Sequence, residues 1–147
     1  MVTPSICGNS HELNVTDDVT QRTKLTALGR ALRDLHRRLI RVETQYFGVV
    51  NNPLEHLHLV TNHPYFAWLQ KLSGLMAQMD ERLDQAEKIS IADALAFRVA
   101  IEELIGPNEK GDMEFRAKYN TLLHDSPDIV MAHGAVRQIL VSIIPRH

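Results

Sequence analysis

The chain has 147 residues, of which 44% are hydrophobic and 23% are charged, and its formal net charge is −2. This length suits a single folded domain, and this composition excludes wholesale disorder and a low-complexity fibre. The single cysteine, Cys7, excludes an internal disulfide and a cysteine-based metal framework, and it fits a reducing compartment. Because we find neither a signal-peptide pattern nor a long apolar stretch, we expect a cytoplasmic protein without a membrane anchor.

The first segment, residues 1–16, is predicted to be a flexible N-terminal tail. Pro4, Gly8 and Asn14 interrupt it, so that no helical or strand period continues for more than a few residues. We expect residues 17–147 to form one helical bundle domain.

A long first helix is predicted over about 17–47. Asp17 and Asp18 can accept hydrogen bonds from its free backbone N–H groups and face the positive end of its dipole. Apolar residues then recur every three or four positions, which is typical of a helix packed in a bundle: Leu25, Leu28, Leu32, Leu35, Leu39, Val42 and Tyr46. We call this row the leucine seam; it ends near Gly48.

Capping residues and proline breaks predict five further helices. Asn52 is a suitable cap for a short helix, Ser90 with Asp93 resembles a capping box, and Ser126 is expected to cap the last helix. The predicted ranges are 53–61, 64–86, 91–105, 113–124 and from 127 onward.

The predicted fold class is all-α. Four principal helices joined by short links favour an up-and-down four-helix bundle, and two additional short helices lie at proline breaks. No segment has the alternation of a strand.

Histidine and glutamate residues suggest one alternative function, a metal site. Glu55 and His58 have the spacing that places both side chains on one helical face, as in ferritin-like bundles. His36 could contribute from the first helix, and His133 lies on the inner seam of the last. A second such pair is missing, so these four are weak candidates for a ferritin-, haemerythrin- or DinB-like site. We expect His133 to be a core residue hydrogen-bonded to a neighbouring group.

The first helix also carries a row of arginines on its outward side, which suggests nucleic-acid binding as a second alternative. The row comprises Arg30, Arg33, Arg37 and Arg41. An acidic run, Asp80, Glu81, Asp84 and Glu87, falls on the helix expected to lie antiparallel to it. We therefore favour an intramolecular charge match and consider nucleic acid an improbable partner.

Catalytic machinery has little support in the sequence. No nucleophile elbow, phosphate-binding loop or dinucleotide fingerprint is present, and we predict no catalytic residue and no cofactor. Tyr65, Phe66 and Trp68 could line a small pocket, but we expect them to pack where two helices meet.

Two segments carry a resemblance to a protein family. The first is Phe66-Ala67-Trp68-Leu69, followed by Leu72-Ser73 and Met79-Asp80-Glu81, and the second is the run from Ser126 to His133. They resemble a family of small bacterial all-helical proteins that has no assigned activity. The resemblance implies a cytoplasmic helical protein and no catalytic residues.

We predict that the chain is a non-catalytic interaction or scaffold module that forms a homodimer. The third long helix is apolar nearly all round, and the last helix ends in more apolar residues than one inward stripe can use: Ile139, Leu140, Val141, Ile143 and Ile144. Which helices meet in the dimer stays open, and the second long helix, with Trp68 and Leu75, is an equal candidate.

Overall fold

A computed structural model describes residues 3–48, 52–106 and 111–144, with side chains of the first range described from residue 17 onward. Within these ranges the chain is helical and contains no strand, which confirms the all-α class. The helices are α1 Thr3–Phe47, α2 Pro53–Asn62, a 3-10 helix Pro64–Leu69, α3 Gln70–Asp84, α4 Ile91–Ile105, α5 Met113–Asp125 and α6 Pro127–Ser142.

The start of α1 differs from the sequence prediction. The backbone is helical from Thr3, so the helix includes most of residues 1–16, which we predicted as a tail; the flexibility of that segment stays a prediction. Asp17 and Asp18 therefore lie inside α1 and do not cap it. Asp18 Oδ1 instead accepts a 2.6 Å hydrogen bond from the Ile89 backbone N–H, and Asp17 Oδ2 accepts one of 3.1 Å from Ile91.

Two of the predicted caps are present. The Asn52 side chain accepts from the Glu55 backbone N–H at 2.7 Å, and Ser90 with Asp93 forms a complete capping box on α4. Ser126 occupies the N-cap position of α6, but its side chain makes no capping hydrogen bond, so that part of the prediction was wrong.

The leucine seam forms the inner face of α1. All five leucines from Leu25 to Leu39 are completely buried, and burying one such side chain contributes about 1.5–3 kcal/mol. Beyond Leu39 the inner face moves to Glu43 and Phe47, and Tyr46 is 60% exposed, contrary to its predicted place on the seam.

Helix α1 is the element around which the others pack. Its most extensive contacts are with α6 and α3, and it also contacts α4 and the 3-10 helix. Arg22 fastens α1 to the α3–α4 connection by donating to the backbone carbonyls of Leu83, Gln85 and Glu87. None of the helices in the described ranges combines the length and apolar character needed to cross a membrane.

Candidate functional site

The outward side of α6 is an apolar surface. Its seam residues Ile129, Ala132, Val136 and Leu140 are buried against the core, which leaves the opposite side to solvent. The exposed residues of the helix are Pro127, Asp128, Val130, Met131, Gly134, Ala135, Gln138, Val141 and Ser142. We call this set the α6 face.

The α6 face has an unusual composition for a solvated helix surface. Asp128 is its one charged residue, whereas the outward side of a soluble helix is ordinarily polar. Met131 is 73% exposed, and Val130 and Val141 are each 50% exposed. Gly134 lies between them, and a Cβ added there would meet nothing within 4 Å. Exposed apolar side chains gathered on one side of a helix are typical of a protein–protein contact.

Charged side chains lie at both ends of α6. At the N-terminal end, Asp125 and Asp128 are exposed and lie close together in sequence, and Arg38 of α1 forms a 3.4 Å ion pair with Asp128. At the C-terminal end, the Lys24 ammonium donates a 2.6 Å hydrogen bond to the Ser142 carbonyl, and Arg98 donates one of the same length to Ile143. Arg98 also forms a 3.1 Å ion pair with Glu102, so Asp125 and Lys24 are the charges at these two ends that form no ion pair within the described residues.

Only some of the apolar residues that suggested a dimer are exposed in the structure. Leu140 and Ile143 are buried and Ile139 is half-buried, so they serve the core, whereas Val141 and Ile144 are exposed. On α4, Val99 is 56% exposed. Met131 and Gly134 are not among the residues that suggested a dimer in the sequence. The signal that could have found them is the near absence of charge on the arc opposite the buried seam.

The four weak metal candidates do not converge. Glu55 and His58 lie exposed on α2, where His58 Nδ1 is 3.2 Å from the Asn62 amide nitrogen. His36 is half-buried on α1, and burial lowers its pKa from the ordinary value. In the part of the chain that the structure describes, no three histidine, cysteine, aspartate or glutamate side chains are placed to share a metal ion.

His133, the fourth candidate, pairs with a tyrosine. Its Nδ1 lies 2.7 Å from the Tyr119 hydroxyl, which confirms the expected hydrogen bond to a neighbouring side chain. Burial lowers the pKa of the imidazole, and the nearby Arg137 lowers it further. Burial also raises the pKa of the Tyr119 hydroxyl. The pair is therefore neutral at pH 7, which suits a hydrogen bond that joins α5 to α6.

The basic side of α1 is partly neutralised within the chain. Arg33 forms a 3.3 Å ion pair with Asp80, as the charge match predicts, and both side chains are about half exposed. Arg37 and Arg38 both pair with Asp34. Among the described residues Arg30 and Arg41 form no ion pair. The predicted match is thus confirmed at one pair. Arg22 also contacts the acidic run, but its guanidinium donates to the backbone carbonyl of Glu87 and not to the carboxylate.

The aromatic group after Pro64 is part of the core, as expected. Phe66 and Trp68 are buried, and the Trp68 ring packs edge-on against Phe115 at 4.9 Å. The group also surrounds a carboxylate that the sequence analysis did not place in the core. Glu43 is only 8% exposed and accepts hydrogen bonds from Trp68 Nε1 at 2.9 Å and from the Tyr65 hydroxyl at 3.4 Å.

Comparison with known proteins adds no relative. The chain matches no protein-family model, no curated protein and no solved structure. Its resemblance to a family of small bacterial helical proteins therefore stays a prediction.

Proposed function

We propose that this chain is a non-catalytic interaction module that works as a homodimer, with the α6 face as the contact between the two copies. The observation that carries the proposal is the composition of this face: nine exposed positions with one charge, centred on an exposed glycine. Covering Met131 and the exposed valines in a second copy would remove their apolar surface from water, which favours association.

The proposed occupant is a second copy of this chain, because the surface is complementary to itself. Two α6 helices crossing antiparallel near Gly134 would bring Asp125 of each copy toward Lys24 of the other copy, whereas Asp128 and Arg98 form ion pairs within their own chain. Antiparallel helix dipoles add a favourable term. Gly134 has no side chain, so the two backbones could approach closely at the crossing point.

The test is sedimentation of the full chain at micromolar concentration. We expect a particle of twice the 16.7 kDa chain mass. Met131→Glu should convert it to the single-chain mass, because a carboxylate at the centre of the contact would have to lose its water. Met113→Glu is the matched control, since Met113 is 69% exposed but lies at the start of α5, off the α6 face.

Two results would contradict the proposal. One is a wild-type chain that sediments only at 16.7 kDa under these conditions. The other is a dimer that tolerates Met131→Glu as well as it tolerates Met113→Glu.

We further propose a cytoplasmic location and an up-and-down arrangement of α1, α3, α4 and α6. The single cysteine supports the first, and the contacts of α1 with the other three helices support the second. Cell fractionation tests the location. Inter-helix distances measured between pairs of spin labels test the arrangement.

A further inference from the structure

Two adjoining cavities lie between α1 and α2. One has a volume of about 400 Å³ and the other about 500 Å³. His36 and Ile40 line both of them, so the two cavities meet at these residues and form one groove. The volumes fall in the range of small-molecule sites. We call the two parts the apolar end and the basic end.

Most of the surface of the apolar end comes from aliphatic and aromatic side chains: Leu57 and Val60 of α2, and Phe66 and Leu69 of the 3-10 helix. The polar residues Thr61, Gln70 and Ser73 also line it. Phe66 is completely buried and Leu69 nearly so, which makes these two residues part of the rigid core. Leu57 is 63% exposed, so an apolar ligand beside it would cover surface that now faces water.

The basic end has the opposite character. Arg37 and Arg41 of α1 and the imidazole of His56 line it, and none of its described lining residues is acidic. Asp34 pairs with Arg37 from one side, so Arg41 is the cation with the least compensation among the described residues. His56 Nε2 lies 2.8 Å from the Thr44 hydroxyl, which fixes α2 against α1 at this point.

His36 occupies the junction. Its imidazole is half-buried between the two ends and makes no side-chain hydrogen bond within the described ranges. Arg41 lies five residues further along the same helix, a rise of about 7.5 Å. A ligand that reaches from the apolar end to Arg41 would therefore pass the imidazole, which could hydrogen-bond to it.

We propose that this groove binds a small amphipathic carboxylate, with its hydrocarbon part in the apolar end and its carboxylate on Arg41. A guanidinium matches a carboxylate in charge and in fork geometry, and such charge-assisted bonds are the stronger ones. A purely polar anion would leave the apolar end empty, and a neutral hydrocarbon would leave the guanidinium without a partner. The groove therefore selects a ligand that has both parts.

The test is calorimetric titration of the full chain with octanoate, and with acetate and 1-octanol as probes of each half. We expect saturable binding of one octanoate per chain and weaker binding of both comparison compounds. Arg41→Gln should weaken octanoate binding about tenfold, the size expected for one charged hydrogen bond. Arg30→Gln is the matched control, because Arg30 is an exposed arginine of α1 that does not line the groove.

A second variant and a second measurement distinguish loss of binding from loss of folding. Leu57→Ser alters an exposed position and should also weaken octanoate binding, with an unchanged helical circular dichroism spectrum. Octanoate should shift the ring-proton resonances of His36, and this shift should disappear in Arg41→Gln at the same octanoate concentration.

Four results would overturn the proposal. The first is no saturable octanoate binding, and the second is binding that Arg41→Gln and Leu57→Ser leave unchanged. The third is equal affinity for 1-octanol, which would remove the role of the carboxylate. Loss of self-association in Leu57→Ser would show that a second copy of the chain covers the groove, and that result would also overturn it.

Discussion

The indole Nε1 of Trp68 donates a 2.9 Å hydrogen bond to Oε2 of Glu43, and both side chains are buried. The bond ties the 3-10 helix to α1 at the point where the inner face of α1 leaves the leucine seam. Tyr65 adds a second donor at 3.4 Å, and burial together with the Glu43 carboxylate raises the pKa of its hydroxyl. Glu43 thus satisfies donors that the aromatic cluster brings into the core.

Replacing Glu43 by leucine should destabilise the fold by about 2 kcal/mol, because a buried indole N–H without an acceptor costs about 1–3 kcal/mol. Glu43→Gln, which keeps an acceptor oxygen, should cost less. Urea unfolding of both variants measures the difference. In the double variant Glu43→Leu/Trp68→Phe the two losses should be less than additive. Strict additivity would show that the hydrogen bond does not couple the two residues.

Arg116 should contribute about as much to the stability of the fold as Glu43 does, by binding the C-terminal end of α4. Its guanidinium is buried and donates to the carbonyls of Glu102 at 3.2 Å and Gly106 at 2.7 Å, where the helix dipole is negative. We expect Arg116→Met to lower the free energy of unfolding by about 2–3 kcal/mol, since it leaves these carbonyls without a charged donor. Lys118→Met, an exposed change on the same helix, should stay within about 0.5 kcal/mol of wild type. Equal effects of the two variants would contradict this role.

The sequence predicts the helices of this fold better than it predicts which residues of other helices they contact. The leucine seam from Leu25 to Leu39 is buried as predicted, because a row that repeats with the helical period has one face on which to lie. Asp17 and Asp18 do bind free backbone N–H groups near a helix start, but these belong to Ile89 and Ile91 beside α4. A capping pattern shows that a carboxylate can accept such bonds, and the tertiary fold decides which helix supplies them.

The candidate site was harder to predict for a related reason. Periodicity identifies the buried side of α6, and the arc opposite it carries little charge, but how far Met131 and Gly134 are exposed on that arc depends on how α1 and α5 pack against the helix. The groove at His36 brings together residues of α1, α2, the 3-10 helix and α3, and no local spacing in the sequence relates them.

Stability should fall as the pH is lowered from 7 to 5. His133 and His36 both have a pKa below the ordinary 6.5 because burial disfavours the imidazolium, and Arg137 adds to the effect at His133. As the pH falls, these imidazoles are therefore protonated in the unfolded chain before they are protonated in the folded chain. The stability that the neutral imidazoles confer is complete above pH 6.5 and is lost as the pH falls through their folded-state pKa. Asp18 and Asp34, whose pKa values are lowered from 3.8, affect stability only at more acidic pH.

Urea unfolding at pH 7.5, 6.0 and 5.0 measures this dependence. His133→Gln keeps a hydrogen-bonding group beside the Tyr119 hydroxyl and removes one titrating group, so its stability should vary less over this range than that of wild type. If the two proteins lose stability in parallel, His133 does not contribute.

Two glycines offer a matched comparison that separates helix stability from self-association. Gly74 in α3 and Gly134 in α6 are both exposed within their helices, and an added Cβ would meet nothing within 4 Å at either position. Alanine is about 1 kcal/mol more favourable than glycine inside a helix, so both Gly→Ala variants should stabilise the single chain by about 0.5–1 kcal/mol. Urea unfolding at a concentration below dimer formation measures this gain.

Self-association should distinguish the two variants. If two α6 helices approach closely at Gly134, a methyl group there separates the backbones, so Gly134→Ala should weaken the dimer in sedimentation equilibrium while Gly74→Ala leaves it unchanged. A dimer that is equally strong in both variants would place the contact elsewhere on the molecule. Because the two substitutions add the same group to the same kind of exposed helix, a difference between them comes from what covers α6 in the assembled protein.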